Sequence, residues 1–334
     1  MARISSILQV KPPKHQPVAM KAYIKTRYGG PEVLELKEYP RPNCNADEIL
    51  VRVKANSANP ADWHILRGKP FIARFAFGLF RPKYPVLGSD FAGVVEEVGG
   101  EVNDFKKGDR VFGEQVEGGA FAEYTAIKPG YCALMLDGTD FSQMAALPIA
   151  GLTALQALTT HGKLERGESV LINGASGGVG HLAVQIAKVS GARVTGVCSS
   201  GSAAFVESLG VDQVIPYDRE DIHRHTGRYN LVIDTHGNLN YQDFVRMGDR
   251  GVTLGFTTMG HMIGLLFRKA LGNFPLVQFT ASANAKDLAI LAIMVTEGQL
   301  KPLIDRSYSY SEIPEAIAYI EKMRTRGKVV MTWE

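Results

Sequence analysis

Hydrophobic and polar positions change period along this chain. From Met20 to about Ala126 the apolar residues fall into short runs with strand character, at Val33–Glu38, Glu48–Ala55, Phe91–Val98, Arg110–Phe112 and Ala120–Ala126. Pro and Gly punctuate these runs, which predicts a β-rich first part. From about Ser142 to Gly255 apolar strands alternate with helical stretches. The strands are Ser169–Ile172, Arg193–Val197, Gln213–Ile215, Leu231–Asp234 and Gly251–Gly255. The helices are Ser142–His161, Val179–Val189, Ala203–Ser208 and one near Tyr241–Met247. Such alternation predicts a parallel sheet with crossover helices. Beyond Asn284 the pattern gives a helix over Ala285–Thr296, an extended stretch, a helix over Ser311–Met323 and a strand at Val329–Thr332. The fold class is α/β, with no internal repeat.

The densest local signal lies where the strand at Val170–Asn173 meets a glycine-rich turn that opens a helix. Gly177 and Gly180 keep the spacing of the dinucleotide fingerprint, with Ala175 where its first glycine usually stands. Glycines let the backbone approach a pyrophosphate, and the helix N-terminus offers N–H groups and a positive dipole end to the anion. Its position between a strand and a helix lifts the pattern above a chance glycine run. The expected cradle is Ala175, Ser176, Gly177, Gly178, Val179 and Gly180.

The next strand narrows the cofactor. About 20 residues past such glycines, NAD-binding proteins place an acid on the adenosine ribose. Here the strand ends in Ser199-Ser200-Gly201-Ser202, and no acid follows until Glu207. Hydroxyls leave room for a 2′-phosphate where a carboxylate would repel it, so the cofactor expected is NADPH. Ser199, Ser200 and Tyr217 are expected at its adenosine end. No Lys or Arg lies between Ser199 and Glu207, so a base must come from elsewhere, for instance Arg219 or Arg224.

Composition sets bounds on this picture. The 334 residues are enough for two domains. A net charge of +3 is too small to argue for nucleic acid as a partner. Three scattered cysteines, Cys44, Cys132 and Cys198, fit a reducing compartment, with cytoplasmic placement expected. They exclude a disulfide framework and a four-cysteine zinc site. Residues 1–19 carry basic residues and prolines but lack the continuous apolar run of a secretory signal. They are expected to form a disordered extension.

Taken in order, the motifs resemble the medium-chain dehydrogenase/reductase superfamily, zinc-free quinone oxidoreductase type. They are Tyr-Gly-Gly-Pro-Glu-Val-Leu at 28–34, Asn-Pro-Ala-Asp at 59–62 and Gly-Ser-Asp-Phe-Ala-Gly at 88–93. Lys-Lys-Gly-Asp-Arg-Val-Phe-Gly at 106–113 and Gly-Gly-Ala-Phe-Ala-Glu-Tyr at 118–124 precede the glycine turn, and Arg-Gly-Lys-Val-Val at 326–330 closes the set. The resemblance implies a GroES-like β-domain plus a Rossmann doubly wound parallel-sheet domain. The implied division is 1–19 extension, 20–144 first part of the catalytic domain, 145–283 Rossmann domain and 284–334 return segment. Zinc-dependent members carry Gly-His-Glu where this chain has Gly88-Ser89-Asp90, and here His64 and Asp90 are the remaining candidate ligands. No metal is expected, because zinc needs three or four close donors.

The implied reaction is hydride transfer from NADPH to a quinone or an α,β-unsaturated carbonyl, a small hydrophobic electrophile. Catalysis is then mainly positioning. The resemblance puts Asn59, Asp62 and Thr153 near the nicotinamide, with His64 as a candidate proton donor. Each also has a plain structural reading: Asn59-Pro60 as a turn, Asp62 as a helix cap, Thr153 bonded to its own helix, and His64 as a surface residue. Thr235, His236, Asn284 and Lys328 are further candidate cofactor contacts. Two apolar segments, Phe71–Phe80 and Thr258–Phe274, are expected to form a lid over the acceptor or to pack on a second subunit. Arg74, Arg81, Arg268 and Lys269 flank them, but membrane contact is not expected. A homodimer is expected through the sheet edge near Gly251–Thr257. The competing readings are a nucleotide-binding redox sensor or interaction protein on the same fold, and a zinc-free alcohol dehydrogenase.

Overall fold

The computed structural model describes residues 18–255 and 259–333. β1 (Ala19–Ile24) and β2 (Glu35–Pro40) form an antiparallel ribbon, so Ala19 belongs to a strand and not to the expected extension. Residues 1–17 lie outside the described part. Next come β3 (Ile49–Ala58), α1 (Pro60–Arg67), α2 (Arg74–Phe77) and β4 (Asp90–Val98). After them come β5 (Arg110–Glu114), β6 (Tyr124–Ile127) and β7 (Cys132–Leu134). β3 is buried along nearly its whole length, because β4, β6 and a strand from the far end of the chain all pair with it.

The single helix expected over Ser142–His161 is interrupted. It appears as α3 (Phe141–Ala145), α4 (Pro148–Gln156) and a π-helical turn at Ala157–His161. Pro148 has no N–H to continue the ladder, and it starts a new helix at its first position instead.

The parallel sheet follows with β8 (Ser169–Asn173), α5 (Gly180–Val189), β9 (Arg193–Cys198), α6 (Ala203–Glu207) and β10 (Gln213–Pro216). It continues through β11 (Tyr229–Asp234), α7 (Tyr241–Met247), β12 (Gly248–Thr253), α8 (Met259–Leu271) and β13 (Leu276–Gln278). The spatial order is β10-β9-β8-β11-β12-β13, all parallel. That is the order of a dinucleotide-binding fold, with its switch point between β8 and β11. β12 is flanked on both sides, so Gly251–Thr253 is not at the sheet edge expected there; the edge strands are β10 and β13. Thr257 and Thr258 lie outside the described residues. Most of the expected lid loop around 258–274 is the helix α8.

The return segment comprises α9 (Ala285–Thr296), β14 (Ile304–Ser309), α10 (Ile313–Glu321) and β15 (Lys328–Thr332). β15 lies antiparallel beside β3, Val329 facing Ala58 and Thr332 facing Ala55, while β14 pairs parallel on its outer side. The last strands thus complete the first sheet. One apolar cluster runs through both sheets, joining Ala55, Phe112 and Val330 to Leu147, Leu152, Val170, Leu182 and Leu291.

A buried histidine fastens the return segment to the glycine turn. His181 Nδ1 lies 3.0 Å from the Gly177 carbonyl oxygen, and its Nε2 accepts the Leu303 N–H at 3.1 Å. A carbonyl on one side and an N–H on the other fix a neutral ring protonated on Nδ1. Burial lowers its pKa to about 4. The unfolded chain, with an ordinary histidine near 6.5, takes up this proton first as pH falls. The increment of stability is complete above about pH 6.5 and disappears as pH drops towards 4. Denaturant titrations at pH 7 and pH 4.5 should differ by on the order of 2–3 kcal/mol from this group alone. His181→Gln should show that much less acid sensitivity; equal sensitivity in both proteins would remove His181 from the account.

Candidate active site

Four side chains from distant parts of the chain converge behind the start of α1. Asp90 opens β4, Ser57 and Asn59 end β3 and lead into α1, and Lys328 opens β15; all four are buried. Asp90 Oδ2 accepts from Ser57 Oγ at 2.6 Å, Asn59 Nδ2 at 2.8 Å and Lys328 Nζ at 3.2 Å. Its Oδ1 accepts the Ile149 N–H at 2.9 Å, which ties the first turn of α4 to the same carboxylate. Lys328 Nζ also donates to Asn59 Oδ1 at 2.5 Å. The Asn59 amide is therefore oriented by a cation at its oxygen and an anion at its nitrogen.

Asp62 has its second reading. Its carboxylate accepts the Asn59 backbone N–H at 2.7 Å, capping α1 from the third helical position. Burial raises its pKa to about 7. Glu114, opposite Asp90 in the β4–β5 register, is pushed up to about 8, first by burial and then by the Asp90 charge. Lys25 is lowered to about 8 by burial. It lines a small recess of about 20 Å³ with Asp62, Tyr84, Gly88 and Ser89, room for a single water.

His64 is exposed, stacks on Trp63 with ring centroids 3.6 Å apart, and turns Nδ1 to the Lys69 carbonyl oxygen at 3.2 Å. No contact joins it to the Asn59 cluster among the described residues. Thr153 Oγ1 donates to the Ile149 carbonyl at 2.6 Å, one turn above the N–H that Asp90 holds.

The turn after β8 has the shape of an anion cradle. Gly174 takes the positive φ of +82°, one residue before the position expected for the first glycine. Ala175 is buried, its N–H bonded to the Val197 carbonyl. A Cβ on Gly180 would lie 2.1 Å from the Gly174 oxygen, so only glycine lets α5 start this close to the strand. Among the described residues the Gly178 and Val179 N–H groups take no protein partner, as donors awaiting an anion would. The Lys328 stem closes the far side, with Cδ 3.3 Å from where a Gly178 Cβ would stand, and the Gly327 N–H donates to the Ser176 carbonyl at 2.9 Å. One lysine thus spans the glycine turn and the Asn59–Asp90 pair.

At the far end of β9, Ser199 Oγ donates to Ser202 Oγ at 3.2 Å. Ser200 donates its N–H and Oγ to Asp218 at 2.7 and 2.5 Å. Sequence reasoning did not identify Asp218, because it lies after the following strand. It also missed the nearby base. Arg326 Nη2 donates to the Gly201 carbonyl at 2.8 Å, from the return segment. Arg224 instead faces Asp221 at 3.6 Å, and Arg219 bonds through its backbone to Pro216. Tyr217 follows β10 and is exposed.

The remaining candidates divide. Thr235 Oγ1 donates to the Asn173 carbonyl at 2.8 Å and packs over Gly174, beside the cradle. His236 is exposed at the carboxyl end of β11, its N–H held by Asp234. Asn284 caps α9: its Oδ1 accepts from the Asp287 N–H, and its Nδ2 donates to Asp287 and to the Ser282 carbonyl.

A zinc site does not fit here. Asp90 already holds four donors, three on Oδ2 and one on Oδ1, and one of them is the Lys328 ammonium, which repels a second cation. Among the described residues no group of three or more His, Cys, Asp or Glu side chains is placed to hold a metal ion.

Comparison with known proteins adds two family models, an alcohol dehydrogenase GroES-like domain over residues 45–138 and a zinc-binding dehydrogenase over 209–331. The chain is 31% identical to the chloroplast envelope quinone oxidoreductase homolog of Arabidopsis thaliana, over 91% of this chain and 95% of that protein. It is 33% identical to the chloroplastic NADPH-dependent alkenal/one oxidoreductase of Arabidopsis thaliana, over 94% of this chain and 80% of that one. The structure of the quinone oxidoreductase from Coxiella burnetii superposes with a TM-score of 0.86 at 33% identity, covering 95% of this chain and all of the other.

Removing the shared cation tests the geometry directly. Lys328→Met leaves the Asp90 charge buried without its partner and should cost about 3–5 kcal/mol in chemical denaturation. Adding Asp90→Asn to it should recover part of that loss. Additive losses would show that the two side chains act independently.

Proposed function

Because the chain belongs to the medium-chain dehydrogenase/reductase superfamily, quinone oxidoreductase type, we propose that it reduces a quinone or an α,β-unsaturated carbonyl with NADPH. The observation that carries this reading is the single lysine spanning the dinucleotide turn and the Asn59–Asp90 pair. Relatives that match nearly the whole chain are named for quinone and NADPH-dependent alkenal/one reduction.

Bound NADPH supplies a hydride from its nicotinamide ring. The Gly177–Gly180 turn and the α5 N-terminus hold the pyrophosphate. Ser199, Ser200 and Tyr217 receive the adenosine end, and Arg326 supplies the base that the Ser199–Glu207 segment lacks. Lys328 fixes the Asn59 amide, and Asn59 with Thr153 of α4 would hold the nicotinamide end. An electron-poor acceptor needs little further help once it is positioned, because hydride addition leaves charge on an oxygen that water or a donor can protonate. Three free cysteines suit a reducing compartment. No helix in the described residues is long and apolar enough to cross a membrane. A second copy would extend the parallel sheet at β13, the edge strand beside β12.

Consumption of NADPH and NADH by metal-stripped protein, against a panel of quinones and enones, tests the proposal. Turnover with NADPH preferred is expected. Arg326→Gln should lower kcat/KM for NADPH about tenfold, the worth of one charge-assisted hydrogen bond, and leave NADH nearly unchanged. Tight NADPH binding without reduction of any acceptor would instead favour the nucleotide-responsive sensor.

A further inference from the structure

The segment after α1 presents large apolar side chains to solvent. Phe71 and Ile72 are each 61% exposed, Phe75 is 72% exposed and Phe80 is 87% exposed. Its backbone is nonetheless tightly held. Tyr28 Oη donates to the Gly78 carbonyl at 2.5 Å, and the Lys83 N–H donates to the Phe77 carbonyl at 2.7 Å. Gly78 turns at φ +109°, where a Cβ would stand 2.0 Å from the Arg81 oxygen. The Arg74 guanidinium lies 4.3 Å from the Tyr28 ring and donates to the Gly68 carbonyl. A fixed turn thus holds the apolar side chains outward, although folding alone would favour burying them.

The charges carried by the segment itself have one sign, with Glu117 the acid that acts on Lys83 from outside it. Between Asp62 and Asp90 the sequence contains no acid, but it contains Arg67, Lys69, Arg74, Arg81 and Lys83. Arg67 is paired with Glu321, while Lys69, Arg81 and Lys83 are exposed. The exposed face of α8 repeats the composition. Ile263, Phe267 and Leu271, spaced four apart on one side of the helix, are 60%, 65% and 73% exposed. Arg268 and Lys269 sit beside them, and no acid occurs between Asp249 and Asp287.

We propose that the knob at residues 69–83 docks on an anionic lipid surface, its phenylalanines entering the headgroup boundary and its basic residues meeting lipid phosphates. Three observations select this occupant. A two-fold contact with a second copy would set the same basic segment, itself without an acid, against its own copy, cation to cation. The apolar groups project from a fixed turn with 61–87% of each residue in solvent, which suits a soft interface that can close around them one by one. Apolar side chains interleaved with Lys and Arg are the composition of interfacial anchors, where each basic residue near the surface adds to the attraction. The inference does not depend on the reductase reading.

Co-sedimentation of the full chain with vesicles tests it, using phosphatidylcholine alone and phosphatidylcholine with phosphatidylglycerol. Binding is expected with the anionic vesicles only, weakening as salt rises. Phe71→Ser/Phe80→Ser and, separately, Arg81→Glu/Lys83→Glu should each lower the partition coefficient at least tenfold, with the melting midpoint unchanged. Phe267→Ser/Leu271→Ser reports whether α8 shares the contact: a similar loss includes it, and no loss confines the docking to the knob, both within the proposal. No binding to anionic vesicles, or binding that both knob variants leave intact, overturns it. So does a dimer that Phe71→Ser/Phe80→Ser converts to monomer, which would make the patch a self-contact. A change confined to KM for apolar acceptors would make it a substrate lid.

Discussion

The buried pair of Lys328 and Asp90 is the constraint on which this architecture turns. Two charges withdrawn from water are costly unless their remaining hydrogen-bond capacity is met. Here Ser57, Asn59 and the first turn of α4 meet the needs of the carboxylate, while Asn59 shares the ammonium. The two residues lie 238 positions apart in sequence. They can meet only if the return segment re-enters the first sheet with β15 in register beside β3. The pair therefore enforces the discontinuous topology as well as the local geometry. Because the lysine stem also lies over Gly178, the same contact joins the nucleotide turn to the start of α1.

What was legible in the sequence was what short-range rules encode. The glycine turn, the strand feeding it and the helix leaving it sit together in the chain, and their periodicity exposes them. Gly174 shows the limit of pattern matching. The fingerprint pointed to Ala175, but the positive φ falls one residue earlier, and Ala175 is packed beneath β9. The break at Pro148 was readable in principle, because a proline inside a helical pattern removes a donor. The apolar periodicity running across it outweighed that signal.

Other features were hidden because they depend on tertiary contact. Arg326 belongs to a recognisable motif, but nothing local says that the return segment crosses the end of β9. Asp218 is similar: it reaches Ser200 only because β10 pairs beside β9. Short β13 carries too few residues for a pattern, and the apolar residues of α8 continue onto exposed positions at Ile263, Phe267 and Leu271, which blurs its helical period. Asn59 was placed near the reacting centre by its motif, and only the structure shows that both polar ends of its amide are already committed within the protein.

These commitments bear on chemistry. A carboxylate gripped by four donors, one of them an ammonium, is a poor metal ligand, so Asp90 serves as a fixed anchor whose charge holds Lys328. Asn59, clamped between the two, cannot rotate to follow a substrate. A site built this way favours acceptors that are already electrophilic and need only be held in place, because its polar groups are spent on rigidity. At the nucleotide end the polarity is less settled. Asp218 draws Ser200 towards an acid, while Arg326 brings a cation to the Gly201 carbonyl of the same loop. On the proposed reading, a 2′-phosphate received there would gain from the arginine and compete with the aspartate for the serine hydroxyl, so cofactor preference would rest on the balance of those two charges more than on the serines themselves.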